Sequence, residues 1–300
     1  LSVRDGVTAK VDDVIQTTQQ RLGEALRSRV AGDEAAVAAA RIWRSPGLRW
    51  FTPDDPIWIV TEDAAMFPGG IASLLLQSLH PGAMAGVAGH SGYKGDPWGR
   101  LQRTSTYLAT VTFGTVDDAE KAIAQVRDIH ERVRGKDHRG RPYRASDPYL
   151  LRWVHVAESW SFLMSHQAYS GRPLSRQQAD RYVDQSRRSA ELLGATGVPR
   201  SVAELEDQLE SYRPELEASP AAREAAAFLL RKPPLPLIAR PGYGLLAAGG
   251  VAVLPQWARS ELHIPWPRPV GLMARTAGRV GTGVVRWGMA GLTDDMRRSP

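Results

Sequence analysis

The stretch DDAEKAIAQVRDIHERVRG, Asp117 to Gly135, decides how this chain folds. Its apolar residues, Ala119, Ala122, Ile123, Val126, Ile129 and Val133, recur every three or four positions, the spacing of one face of an α-helix. Charged Glu120, Lys121, Arg127, Asp128, Glu131, Arg132 and Arg134 fill the other side. His130 stands four after Val126 and three before Val133, so it falls within the apolar stripe and is predicted to point inward. Thr115 or Asp117 is the expected cap, and the acidic first turn suits the positive end of the helix dipole. Gly135 is the expected stop, with Arg132 and Arg134 on the favourable side of the last turn. An inward histidine reads in two ways: a core residue bonded to a carbonyl, or a metal ligand.

Helical period extends outward in both directions, with prolines and glycines as punctuation. Helices are expected over Val11 to Arg29, in the very apolar run after Pro68 up to Pro81, over Leu101 to Phe113, and from Pro148 to about Tyr169. Ser175 opens another that ends at Gly194, and Ser201 with Glu204 three residues on has capping-box spacing. SPAAREAAAFLL is a further short helix, and KDHRGRPYRASDP reads as a polar turn-rich loop. The only β-like run is Ile57 to Thr61. The fold class is therefore all-α, a single globular domain of eight or more helices, with an irregular Pro-rich stretch around Lys232 to Pro269. Pro234 to Trp257 in particular reads as a buried hairpin or a surface loop. The last segment, Arg268 to Arg298, reads as a helix with Arg275, Arg279 and Arg286 along one face. Such an end can make peripheral contact with anionic lipid, or simply be a solvated surface helix.

Composition bounds the function. Three hundred residues with 43% hydrophobic content can bury a sizeable core. The net charge of +6 comes mostly from scattered arginine, so nucleic acid is not an expected partner, whereas acidic lipid, haem propionates or an anionic substrate would suit it. With no cysteine, disulfides, Fe–S clusters and thiolate-held metals are excluded, and any metal must sit on histidine or carboxylate. The opening LSVRDGVTAKVDDV has no basic start followed by an apolar run, and no bilayer-length apolar run free of charge and proline occurs, so the expected location is the cytoplasm.

Two further histidines stand among apolar neighbours: His155, between Trp153 and Trp160, and His80, just before Pro81. None of the three has standard metal spacing. HERVR has Arg134 where a zinc protease would carry its second histidine, GHSG is not a nucleophile elbow, and no phosphate or dinucleotide loop is present. The residues alone give an α-helical protein with buried histidines and room for a flat, apolar cofactor.

HPGAMAGVAGHSGYKGDPWGRLQRTSTYLATVTFGT, then IHERVRG, then GRPYRASDPYLLRWVHV, in this order and at these distances, resemble the MpaB/latex-clearing-protein family. That family includes rubber oxygenases and an oxygenase that cuts a prenyl chain in mycophenolic acid biosynthesis. The resemblance covers roughly Trp58 to Leu230 and implies a globin-like helical core with extra helices, haem b, and O₂-dependent cleavage of a carbon–carbon double bond. On that basis the domains divide into an N-terminal helical extension (1–56), a haem-binding core (57–231) and a Pro/Gly-rich segment with a basic helix packed on it (232–300). His130 matches the proximal haem ligand. Arg100 and Thr104 match an R-x-x-x-T pair, where the arginine holds a propionate or steadies bound oxygen. Arg103 stands where rubber oxygenases carry a lysine able to sit on the iron; arginine stays protonated and is a poor ligand, so an open or water-filled distal side is implied. His155 resembles a family position too, one that supports the cofactor's surroundings or packs the core more than it acts as a ligand. The expected partners are O₂ or peroxide and a hydrophobic or prenylated small molecule. A haem sensor or O₂ carrier without turnover, a haem peroxidase or dehydrogenase, a haem-free helical protein, and a non-haem iron site on His80, His130 and His155 remain as alternatives.

Overall fold

The computed structural model describes residues 16–25, 35–90 and 95–298. The ends of the expected early helix and residues 91–92 of GHSG lie outside them. The described chain is mostly helical. Helix α1 (16–25) and α2 (Ala35–Arg44) precede α3 (Pro56–Glu62), α4 (Met66–Gln77) and α5 (Pro81–His90). Next come α6 (Pro97–Phe113) and α7 (Val116–Arg132), then a small hairpin of β1 (Arg134–Lys136) and β2 (Pro142–Arg144). Helices α8 (Pro148–Tyr169), α9 (Arg176–Leu193), α10 (Val202–Ser211) and α11 (Pro220–Arg231) follow, and α12 (Arg240–Val253), α13 (Gln256–Glu261) and α14 (Arg268–Arg298) close the chain.

Local chemistry sets most of these boundaries. Thr115, not Asp117, caps α7, its Oγ1 accepting from the Asp118 N–H at 3.2 Å. Asp96 caps α6 ahead of Pro97, four residues before the expected start. Ser175 and Gln178 form a complete capping box on α9, which Gly194 ends in the left-handed region at φ 111°. Ser201 caps α10, but the Glu204 carboxylate reaches one residue further back than a capping box, to the Arg200 N–H.

Four expectations are corrected. Ile57 to Thr61 is helix α3, not strand: Pro56 presets the first turn, and burial of Trp58 and Val60 outweighs the β-preference of the sequence. Strands occur instead inside the polar loop, where Gly135 pairs with Tyr143 and Asp137 closes the turn by accepting from the backbone N–H groups of Arg139 and Arg141, both at 2.9 Å. Gly135 is thus not the stop of α7, which ends with Val133 turning extended. A side chain at Gly135 would stand 3.0 Å from the Tyr143 hydroxyl, so the glycine makes room for that ring. Pro234 to Trp257 is neither hairpin nor loop but mainly helix α12.

The glycines that disguise α12 explain its position. Antiparallel α12 and α14 approach so closely that a Cβ on Gly278 would lie 2.7 Å from the Gly249 Cα. One core runs from Val60 through Leu75, Leu76, Trp153 and Val183 to Val251 and Val285, so the C-terminal helices share it. Arg286 fastens α14 to this core. Its Nη2 donates to Asp63 Oδ1 at 2.8 Å and to the Tyr169 carbonyl at 3.0 Å, which turns it inward while Arg275 and Arg279 stay exposed. Among the described residues no single helix is long and apolar enough to cross a membrane.

Gly278→Ala is expected to lower the free energy of unfolding by about 1–3 kcal/mol, although alanine is the better helix former. Denaturant titration measures this; an unchanged midpoint would mean that the two helices can part without cost.

Candidate active site

Helices α6 and α7 are joined only by Gly114 and Thr115 and pack on each other as a hairpin. Arg100 lies fourteen residues before Gly114 and His130 fifteen after Thr115. At 1.5 Å per residue both stand about 20 Å from the turn, at the hairpin's open end. The closed end is buried: Phe113 stacks on Trp43 and meets Trp58 edge-on, each at 4.7 Å. Ile123 and Ala119 are buried a little further along α7.

Towards the open end the cover on α7 thins. Val126, His130 and Val133 are half-buried and Ile129 is 50% exposed, so the apolar stripe continues past the helices that cover it. His130 is therefore only partly inward. Its Nδ1 is buried without a hydrogen-bond partner among the described residues, and the residue as a whole is half-buried. Burial lowers its pKa below the usual histidine value, against the opposing pull of Glu131, so the ring is neutral at pH 7 with a lone pair to offer.

The other expected site residues fall in different places. Arg100 and Thr104 share one face of α6, the Thr104 hydroxyl donating to the Arg100 carbonyl at 3.0 Å, with Arg100 half-buried and Thr104 exposed. Arg103 stands on the outer surface, 3.4 Å from Asp96. His155 is buried in the α8–α9 seam with Nδ1 3.5 Å from the Ser159 hydroxyl, which lies 3.3 Å from the Ser186 hydroxyl. Ser186 donates to the Val183 carbonyl, so its oxygen accepts from Ser159 and the chain of bonds favours a proton on His155 Nδ1. Burial pushes the His155 pKa down to about 4, and its Nε2 is buried without a partner. His80 is a cap: its Nδ1 accepts from the Gly82 N–H at 3.1 Å as α5 begins. No three of the described histidines and carboxylates gather as a metal site, which removes the non-haem iron arrangement on His80, His130 and His155.

Glu158 was missed in the sequence. It is the only carboxylate of α8, one turn beyond His155, and makes no hydrogen bond or ion pair among the described residues. Its charge bears on Tyr107 of α6, whose hydroxyl is buried without a partner, and on Tyr182 of α9. Burial pushes the Glu158 pKa up to about 7, so its carboxyl can both hold and release a proton at neutral pH. A lone acid within an otherwise apolar helical stretch was the signal available. Two open surface cavities of about 440 and 340 Å³ lie beside α10, and neither is bordered by His130, Arg100 or Glu158.

Because Glu158 holds its proton more tightly when folded than at the ordinary value of 4.5, its contribution to stability is complete below that pH and is lost as the pH rises through about 7. The depressed His155 acts in the opposite sense in the same window, but equally in parent and variant. Glu158→Gln should therefore gain about 2 kcal/mol on the parent between pH 5 and pH 8. Urea unfolding at both pH values tests this, and a constant difference would put the carboxylate in water.

Comparison with curated proteins and with solved structures gives no match. Residues 58–287 match the family described as ER-bound oxygenase mpaB/B'/Rubber oxygenase, catalytic domain, a span that contains the α6–α7 hairpin, α8 and most of α14. The chain belongs to this family, and is accordingly an oxidoreductase of the oxygenase kind.

Proposed function

We propose that the protein is a haem b-dependent oxygenase with a globin-like pocket, acting on a hydrophobic or prenylated small molecule by oxidative cleavage of a carbon–carbon double bond. The observation that carries this reading is His130: a neutral, half-buried imidazole with no hydrogen bond at Nδ1 among the described residues, at the open end of a hairpin inside the family-matched span. The donor set fits a porphyrin better than a bare ion. One imidazole cannot hold a metal alone, whereas haem brings four nitrogens of its own and asks the protein for an axial ligand. The half-covered Val126, Ile129 and Val133 offer apolar surface for a flat ring.

Bound haem would supply the activation of O₂ that no amino-acid side chain provides. The chain's own contribution is position, charge and protons. His130 would hold the cofactor from the α7 side. Arg100, at the same end of the hairpin, is placed to pair with a propionate, and Thr104 fixes the local backbone by its bond to the Arg100 carbonyl. Arg103, paired with Asp96 on the outer surface, would stand clear of the cofactor. Glu158 is the proton reservoir nearest to neutral titration in this part of the molecule.

The test is optical and chemical. Protein purified from cells fed haem precursor should show a Soret band, and His130→Ala should lose the haem while keeping its helical circular dichroism. Under O₂ a prenylated phenol should yield carbonyl products of chain cleavage. A colourless parent, or full haem occupancy in His130→Ala, overturns the assignment; stoichiometric O₂ binding without product overturns the catalytic part.

A further inference from the structure

The net charge is not spread evenly. Residues 225–293 hold eight of the 38 lysines and arginines and one of the 32 acids, Glu261. The remaining thirty cations and thirty-one anions nearly cancel, so this segment accounts for the protein's net positive charge. Between Arg268 and Thr293, α14 has no acid at all.

The same segment exposes apolar side chains. On α14, Leu272 is 72%, Met273 71%, Val280 52% and Val284 48% exposed, with Trp287 beside them. Met273, Val280, Val284 and Trp287 are spaced to share one side of the helix. The exposed arc runs from Arg275 and Arg279 on one flank, past Leu272, to that row on the other, while the side turned to α12 is buried through Gly278 and Gly281. The turn before α12 adds Leu237 and Ile238, 77% and 92% exposed, between exposed Arg231, Lys232 and Arg240. Water-facing apolar rows of this length are uncommon in monomers.

We propose that the outer side of α14 docks on an anionic phospholipid surface, with Met273, Val280, Val284 and Trp287 entering the headgroup boundary and Arg275 and Arg279 meeting lipid phosphates. Charge chooses the occupant. A second copy would bring arginines against arginines along a stretch with no acid before Asp294, whereas an anionic bilayer satisfies the cations and the apolar row together. The docking is peripheral, since it uses one side of a helix whose other side is buried in the core. It stands independently of the haem reading and places the protein where an apolar substrate would partition.

Co-sedimentation with vesicles is the test, using the full chain with pure phosphatidylcholine and with an equimolar mixture of phosphatidylcholine and phosphatidylglycerol. Binding is expected to the mixture, weakened by salt, and little to phosphatidylcholine alone. Arg275→Gln with Arg279→Gln should weaken it about thirtyfold. Met273→Ser with Val280→Ser should weaken it as well, and both variants should unfold at the parent's temperature because these side chains are exposed. Equal binding to neutral vesicles, no binding, or variants that bind like the parent would overturn the proposal. So would a concentration-dependent dimer in sedimentation velocity that Met273→Ser with Val280→Ser abolishes, which would assign this face to a second copy.

Discussion

The burial of α8 is the constraint around which the rest is arranged. It contacts α4, α9, α10, α12 and α14, so most of its circumference is covered. A helix in that position has little tolerance for charge, and α8 carries only two charged side chains. Arg152 escapes to the edge, where its Nε donates to the Tyr212 hydroxyl at 3.0 Å and its Nη1 to the Thr196 carbonyl at 3.2 Å. Glu158 finds no hydrogen-bond or ion-pair partner among the described residues. Its cost is met by keeping the proton, and that turns a packing constraint into an acid–base group next to Tyr107 and Tyr182.

Burial lowers the pKa of both His130 and His155, yet it leaves them fit for different work. His155 is fixed on one nitrogen by the Ser159–Ser186 chain and closed in at the other, so it serves the α8–α9 seam. His130 is half-buried and has no anchor at Nδ1 among the described residues. The two histidines differ in what holds them: one is fixed by neighbouring hydroxyls, the other by its place on the helix alone.

Much of this was legible in the sequence, and what was lost follows a physical pattern. Caps are local, so Thr115, Ser175, Gly194 and Ser201 marked their helices correctly. Helix α3 was misread because a short β-branched run has no period of its own, and its state is settled by tertiary burial. Helix α12 was misread because its glycines look like a loop until α14 arrives to use the space. The inward stripe of α7 predicted the direction of His130, but not that its cover ends near Val126, because periodicity says nothing about where a neighbouring helix stops. Glu158 shows in the sequence as a lone acid in an apolar stretch, but its meaning lies in having no partner among the described residues, and partners come from other helices.

Stability and chemistry are set at opposite ends of the same hairpin. At the Gly114–Thr115 end, aromatic stacking of Trp43, Trp58 and Phe113 is joined by the Arg41–Asp118 pair at 2.6 Å and by Arg49, which donates to the Phe113 carbonyl. At the other end, His130 and Ile129 keep accessible surface and Thr104 is exposed. Opening motions of a folded protein concentrate where apolar contacts are fewest. A hairpin clamped at its turn can therefore adjust its mouth around a bulky substrate without unfolding its base. The β1–β2 strap limits that freedom on one side, because it follows the last turn of α7 directly and sets Tyr143 against Gly82 and Gly86 of α5. The half-buried end of α7 that carries His130 is thus tethered through a short covalent path while Ile129 beside it stays exposed.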